Sequence, residues 1–177
     1  MKFKESPSGL LVPDHKIVAA GKYHAKHIRQ GEVIDEWDFD NLVVNQGLNY
    51  LLSAGLGAGS QISSWYLGLF QANYTPVAGD TAATFPGSAT ETTGYTAGAR
   101  QGFTAGAVSG QSITNSASAA SFTFNATLTI YGAFLASSSV ISGTTGTLFS
   151  AAQFGTAKSV VSSDVLLLTY SFAAASS

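Results

Sequence analysis

Two histidines near the start of the chain come closest, in residue type and spacing, to a metal site. His24 and His27 are the only close histidine pair in the sequence. The run from Lys16 to Arg29 is strand-like, and successive side chains of a strand point to opposite faces. The two imidazoles would therefore lie on opposite faces and could not bind one metal ion together.

Five acidic residues in a short segment could bind a hard cation. They are Glu32, Asp35, Glu36, Asp38 and Asp40. Three of them project from one side of a strand, but no loop with the ligand spacing of a calcium site surrounds them. We expect the acids instead to pair with basic side chains of the preceding strand or simply to be solvated. Those bases are Lys22, Lys26 and Arg29.

No arrangement typical of catalysis is present. The chain has no cysteine, no histidine after His27 and no Gly-x-Ser-x-Gly motif around a nucleophile. Gly55, Gly57 and Gly59 lack the lysine of a phosphate-binding loop and the spacing of a dinucleotide fingerprint. Isolated charges occur farther on, at Asp80, Glu91 and Arg100. We expect a charge pair in a loop there, and we predict a protein that is not an enzyme and has no catalytic, cofactor-binding or metal-binding residues.

Aromatic side chains suggest a rival function, carbohydrate binding. The candidates are Trp37, Trp65, Tyr66, Tyr74 and Tyr95. Aromatic faces can stack on sugar rings, and nearby Thr or Asn side chains can supply hydrogen bonds. Core packing explains Trp65 equally well, because this residue opens the apolar run from 65 to 70.

Composition narrows the class of protein further. The chain has 177 residues, a net charge of -2 and 45% hydrophobic residues, which suits one folded domain and argues against a nucleic-acid partner. Six of the eight basic residues lie in the first 29 positions, and no charged residue or histidine occurs between Gln101 and Ala157. Apolar runs are too short for a membrane span, and the start lacks the apolar region of a signal peptide, so we expect no membrane partner and folding in a cytoplasm.

The hydrophobic and turn patterns predict the order of elements. Residues 1–14 form an irregular arm, and residues 15–177 form a single β-sandwich domain. A hairpin turns at Gln30-Gly31, which places Arg29 opposite Glu32 and Lys26 opposite Asp35. One short helix lies near residues 46–55, with Asn45 as a possible cap and Gly57 as a possible stop.

Everything after the helix is predicted to be strand or loop. The strands are expected at residues 65–71, 103–108, 112–116, 121–136, 147–154 and 165–172. The stretch from Ala72 to Gly102 is rich in Gly, Thr and Pro and is expected to pass over the surface with few regular elements. Seven or more strands with regular turn signals and one helix indicate an all-β sandwich of jelly-roll type.

The clearest strand pattern runs from Ser121 to Phe134. Apolar and polar residues alternate there almost without fault, which is the period of a β-strand. The apolar face is predicted to be core and to pack on Leu166, Leu168, Tyr170 and Phe172; it comprises Phe122, Phe124, Leu128, Ile130 and Phe134. The strand is long for a small domain, so we expect it to bend near Gly132 or to switch sheets.

An ordered series of short blocks resembles a family of small structural proteins of tailed bacteriophages. The blocks are Trp65-Tyr-Leu-Gly-Leu-Phe, Thr75-Pro-Val-Ala-Gly-Asp-Thr-Ala-Ala, Gly94-Tyr-Thr, Arg100-Gln-Gly-Phe, Phe124-Asn-Ala-Thr-Leu-Thr-Ile-Tyr-Gly-Ala-Phe-Leu, Thr145-Gly-Thr-Leu and Asp164-Val-Leu-Leu-Leu-Thr-Tyr-Ser-Phe. The resemblance covers about residues 33 to 172. It implies a cement or decoration protein of jelly-roll fold and brings no catalytic residues.

The resemblance and the uncharged composition together predict a capsid cement protein. It would bind the outer surface of the phage head, bridge neighbouring subunits of the major capsid protein, and occur there as a dimer or trimer. Its expected location is the virion, after synthesis in the host cytoplasm. The alternative is a tail-fibre or receptor-binding β module that contacts host carbohydrate.

Overall fold

A computed structural model describes residues 3–5, 11–13 and 17–176. The strands are β1 (Phe3–Glu5), β2 (Leu11–Pro13), β3 (Ile17–Arg29), β4 (Glu32–Asp40), β5 (Leu42–Val43), β6 (Tyr66–Phe70), β7 (Gln101–Gly102), β8 (Ser112–Thr114), β9 (Ala120–Thr123), β10 (Leu128–Ala136), β11 (Leu148–Val160) and β12 (Val165–Ser176). The helices are α1 (Asn45–Gly55) and the single-turn α2 (Phe85–Ser88). This content confirms the predicted all-β class and the helix near residues 46–55.

Two antiparallel sheets form the sandwich. One has the order β5-β11-β10-β6-β7, and the other has the order β4-β3-β12-β8, with β9 also paired to β12. Early strands pair with late ones in a nested way, because β3 pairs with β12, β5 with β11 and β6 with β10. The main core lies between the sheets and includes Tyr23, Phe122, Phe124, Leu166 and Leu168.

The arm at residues 1–14 differs from the expected irregular structure where it is described. Strands β1 and β2 pair antiparallel, with Phe3 opposite Pro13. Residues 1–2, 6–10 and 14–16 lie outside the described part of the chain.

The predicted hairpin is confirmed, and its register is partly different. Gln30 and Gly31 have φ of 52° and 86°. Positive φ at both positions is typical of the two-residue turn whose twist matches the twist of the paired strands. Arg29 lies opposite Glu32 as predicted. A register shift between His27 and Ile28 then places Lys26 opposite Glu36. The predicted pairing of Lys26 with Asp35 is therefore wrong, because the bulge inserts one residue that the turn alone does not reveal.

The long predicted strand from 121 to 136 is two strands in different sheets. β9 pairs with β12, whereas β10 lies between β11 and β6. The predicted switch of sheets is confirmed, but it occurs at residues 124–127. At that point the Phe124 amide donates to the Asp164 carbonyl oxygen over 2.9 Å.

A second irregularity in β10 changes which side chains reach the main core. The register of β10 against β11 shifts between Ile130 and Gly132. Ile130 and Leu135 consequently face the main core, whereas Phe134 faces the other side of the sheet. Phe122, Phe124 and Ile130 are buried as predicted, but the placement of Phe134 on the same face is wrong because the shift reverses the alternation. Leu128 and Phe172 are partly buried against the main core.

The segment from 72 to 102 covers a second core instead of passing over the surface. Phe85, fully buried, stands edge-on to Phe70 at 5.5 Å and contacts Phe134 at 5.2 Å between ring centroids. Ala82 and Ala89 from the same segment also belong to this second core. Other local differences are that β7 is only Gln101–Gly102 and that residues 103–108 form no strand, while β8 is confirmed in shorter form.

Helix α1 begins without the cap expected from Asn45. The capping position is Val44, and no side chain caps the helix. Gln46 connects this end to the rest of the fold, since its Oε1 accepts from the amides of Ala82 and Leu148, each at 2.9 Å. At the other end, the Gly57 amide donates to the carbonyls of Leu52 and Ser53, as a helix stop does.

Candidate functional site

The outer face of the β3–β4 hairpin carries a ladder of opposite charges. Lys22 Nζ lies 3.0 Å from Asp38 Oδ2, and Lys26 Nζ lies 3.3 Å from Glu36 Oε1. His24 sits between them, with Nδ1 2.8 Å from Asp38 Oδ1 and Nε2 3.2 Å from Glu36 Oε1. The hydrogen bond from Lys22 lowers the pKa of Asp38. The predicted pairing of these acids with bases is confirmed for Glu36 and Asp38.

His27 faces the opposite side of β3, as predicted, and belongs to a buried network. Its Nε2 lies 2.8 Å from Asp164 Oδ2. Arg29 donates to both oxygens of the same carboxylate, from Nε at 2.8 Å and from Nη2 at 2.7 Å. The Val161 amide adds a third donor at 2.9 Å. These donors, Arg29 first, hold the pKa of Asp164 far below its usual range.

Two further charges join the hairpin to the neighbouring sheet. Lys158 Nζ on β11 donates to Asp35 Oδ2 over 2.7 Å and lies 4.3 Å from the centre of the Trp37 ring. The hydrogen bond from Lys158 lowers the pKa of Asp35. A cation above an aromatic face is attracted by the ring electrons, so Trp37 supports the same contact.

The isolated charges of the 72–102 segment form the predicted loop pair, and the pair is buried. Arg100 donates from Nε and Nη2 to the two oxygens of Glu91, each over 2.7 Å. Its Nη1 also donates to the Ser138 carbonyl at 3.0 Å, and the Ser142 amide donates to Glu91 at 2.7 Å. This ion pair therefore fastens the segment that covers the second core to the β10–β11 connection.

Asp80 has a separate structural task within the same segment. It accepts a hydrogen bond from the Tyr74 hydroxyl at 2.7 Å and from the Val77 amide at 2.9 Å. The bond to Asp80 raises the pKa of Tyr74 to about 12. Asp80 thus closes the turn at residues 77–80 and is not joined to the pair of Glu91 and Arg100.

All charged side chains after Asp40 are buried or paired. Asp80, Glu91, Arg100 and Asp164 are each no more than 5% exposed. Lys158 is 20% exposed at its side chain and is bound to Asp35. We call the exposed residues between Asn41 and Ser176 the uncharged surface. Solvent contacts this surface through Ser, Thr, Gly, Ala, Asn and Gln residues and several apolar ones, whereas the exposed charges of residues 18–176 lie on the hairpin.

Helix α1 and the residue after it add three exposed leucines to the uncharged surface. Leu48, Leu52 and Leu56 are 38%, 61% and 89% exposed. Leu48 and Leu52 are four residues apart and lie on one side of the helix, and Leu56 follows directly after its last residue, Gly55. We call these three residues the leucine stripe. The sequence places these residues at helical spacing, but an amphipathic helix normally turns its leucines inward. Here Tyr50 and Leu51 make the inward contacts instead.

The five aromatic candidates for sugar binding do not form one platform. Trp65 packs between Tyr50 and Phe149, at 5.2 and 5.4 Å between ring centroids. The others with ring contacts pack separately, Trp37 on Phe154, Tyr74 on Phe85 and Tyr95 on Phe122. Tyr66 is partly buried at the start of β6. Four of the five rings are therefore engaged in separate packing contacts.

Sequence reasoning did not single out Asp164 or Gln46, which hold distant segments together. Asp164 has one local signal, because it is an isolated acid directly before an apolar strand. Its partners lie on β3, so only the pairing of β3 with β12 brings them together. Gln46 has no comparable signal in the sequence.

No protein-family model matches the chain, and none of the curated proteins compared with it is significantly similar. Among the residues that the structure describes, no helix is both long and apolar enough to cross a membrane.

Proposed function

We propose that this protein is a bacteriophage cement protein that binds the outside of the assembled head and bridges neighbouring subunits of the major capsid protein. The observation that carries the proposal is the uncharged surface. Uncharged side chains cost less to bury against a partner than unpaired charges do. The resemblance of the sequence blocks to phage decoration proteins supports the same function, and so does a sandwich in which early strands pair with late ones.

The mechanism is linkage between binding and assembly. A protein that binds the assembled shell but not its separate subunits stabilises the shell by its binding free energy. Each contact can be weak, because many copies act on one particle. A sandwich that keeps its shape on binding would lose little entropy, which would favour such weak contacts.

The leucine stripe is the part of the uncharged surface that we assign to the shell. No charged residue or histidine occurs between Asn41 and Gly79, so the helix and its flanks offer only apolar and neutral polar groups. The matching partner is an uncharged surface of the capsid subunit. Exposed apolar groups gain most from such a contact, because water is removed from them on both sides.

Contacts between copies on the shell should use side-chain faces and not strand edges. The outer strands of one sheet, β5 and β7, have two residues each. In the other sheet, the edge strand β4 carries the acids and the opposite edge strand β8 has three residues. Short or charged edge strands prevent pairing with another sheet. A dimer or trimer on the head therefore needs no continuous sheet between copies.

The test compares heads assembled with and without the protein. Heads that lack it should assemble but rupture at lower temperature, and purified protein should restore the higher rupture temperature. Bound protein should be present at hundreds of copies per head. Equal rupture temperatures, or a few dozen copies or fewer at the tail, would overturn the proposal and favour the tail-fibre alternative.

Two matched variants locate the contact. Leu52→Gln replaces an exposed leucine by a polar residue that helices accept, and Val33→Thr does the same for a strand residue of similar exposure, 52%, on the hairpin. Both should leave the thermal unfolding of the free protein nearly unchanged. Leu52→Gln should weaken binding to heads, whereas Val33→Thr should not; the reverse result would move the contact to the hairpin.

A further inference from the structure

An apolar cavity lies at one end of the sandwich, between α1 and the two sheets. Its volume is about 150 Å³, and it is partly open to solvent. Residues of α1, β8, β10, β11 and β12 contribute to its wall, among them Leu51, Ile113 and Phe149. Trp65, just before β6, and Phe103, just after β7, also line it. No charged side chain lines it. This site is separate from the leucine stripe, whose residues do not line the cavity.

Aromatic contacts explain why neighbouring side chains do not fill the space. Trp65 stands edge-on to Tyr50 and to Phe149, and Phe149 stands edge-on to Phe172 at 5.2 Å between ring centroids. Flat, rigid rings in this arrangement hold one another in place. Tyr50 is also fixed by the Ile62 amide, which donates to its hydroxyl over 3.0 Å. The walls are therefore formed before any ligand arrives, which lowers the cost of binding.

Two tyrosine hydroxyls at the cavity already have partners. The hydroxyl of Tyr170 accepts a hydrogen bond from Asn41 Nδ2 at 2.9 Å, and that of Tyr50 accepts from the Ile62 amide. A water molecule needs two to four polar partners to be held in a cavity. The cavity walls therefore bind water weakly and bind an apolar group favourably, because burying apolar surface is favourable.

We propose that this cavity binds a small uncharged aromatic molecule of about the size of benzene. An apolar protein cavity of about 150 Å³ is large enough for benzene. The aromatic walls allow edge-to-face contacts with a bound ring. The partial opening lets the ligand enter without unfolding of the domain. This inference does not depend on binding to phage heads.

The experiment titrates the free protein with benzene and follows the methyl resonances by NMR. Saturable shifts are expected at Leu51, Ile113 and Leu135, which line the cavity. Ile113→Phe places a ring in the space and should weaken benzene binding at least tenfold. Ile141→Phe is the matched control, because Ile141 is also partly buried but does not line the cavity. It should change the affinity less than twofold.

A second variant keeps the test decisive if Ile113→Phe does not fold. Phe103→Leu removes a ring from the wall and should favour p-xylene over benzene, relative to the wild-type protein. The proposal is overturned if benzene produces no saturable shifts at its solubility limit. It is also overturned if a folded Ile113→Phe binds as tightly as the wild type, or if Phe103→Leu leaves the ranking of the two ligands unchanged.

Discussion

Asp164 and His27 are joined by a buried hydrogen bond of 2.8 Å although 137 positions separate them in the sequence. Arg29 donates to the same carboxylate, and the Val161 amide donates a further hydrogen bond to it. The contact links the turn before β12 to the end of β3. It therefore fixes the register of the longest strand pair in the molecule, which runs from Val165 opposite Ile28 to Ser176 opposite Ile17.

The first prediction is that Asp164 makes the protein sensitive to acid. Its pKa is depressed in the folded state, so its stabilising contribution is complete above the pKa of the unfolded chain, about 4. That contribution decreases as the pH falls from about 4 towards the lower pKa of the folded state. Asp164→Asn should remove part of the contribution at neutral pH, about 1 to 3 kcal/mol, and should flatten the dependence of stability on pH below 4.

Chemical denaturation between pH 2 and 7 measures this effect. Asp38→Asn is the control, because Asp38 is an exposed acid of the outer ladder and is also paired with a base. It should change the stability little at neutral pH. A pH profile of Asp164→Asn that parallels the wild-type profile would show that another group causes the loss of stability in acid.

The second prediction concerns the buried pair of Glu91 and Arg100. Glu91→Gln leaves the guanidinium buried without its counter-charge, which should cost about 3 to 5 kcal/mol. The double variant Glu91→Gln with Arg100→Met removes the unpaired charge as well. It should be more stable than Glu91→Gln alone. Urea denaturation of the wild type, the two single variants Glu91→Gln and Arg100→Met, and the double variant measures this difference. A double variant that loses the sum of both single effects would mean that the two side chains act independently.

The third prediction distinguishes the two cores. Phe124→Ala and Phe85→Ala should each cost about 3 to 5 kcal/mol, because both rings are fully buried. Phe85→Ala should in addition increase amide exchange in residues 72–102, since it removes the ring that holds this segment on the sheet. Phe124→Ala should leave the exchange of residues 80–90 around Phe85 unchanged relative to the rest of the chain. Residues 94–96 are left out of this comparison because they pair with residues 123–125. A loss below about 1 kcal/mol for Phe124→Ala would contradict its place in the main core.

The sequence revealed features that depend on local chemistry. Gln30-Gly31 predicts the hairpin because glycine readily adopts the positive φ that the turn requires. The alternation from Ser121 predicts β structure, and the uneven charge distribution predicts pairing on the hairpin. These signals lie within a few neighbouring residues, so one sequence is enough to identify them.

Features that depend on tertiary contacts were hidden. The bulge after Ile130 reverses the face of Phe134, and nothing in the alternating pattern marks it. It becomes understandable only in the fold, where a side chain on Gly132 would overlap the Ala152 carbonyl and the Phe70 ring. The second core was missed because Gly, Thr and Pro surround Phe85. The isolated Phe85, with Ala82 and Ala89 at helical spacing, is the signal that could have found it.

The last prediction is that binding to phage heads depends little on salt. Exposed charges of residues 18–176 lie on the β3–β4 hairpin and are largely paired there, whereas the leucine stripe and its surroundings carry none. Salt screens contacts between charges but has little effect on apolar ones at moderate concentration. The affinity for heads should therefore change less than about threefold between 0.05 and 0.5 M NaCl. Co-sedimentation of purified protein with undecorated heads measures it, and Leu52→Gln should weaken binding equally at both concentrations. A steep fall in affinity with salt would instead assign the contact to the charged segment from Lys16 to Asp40, because only charged groups would respond in that way.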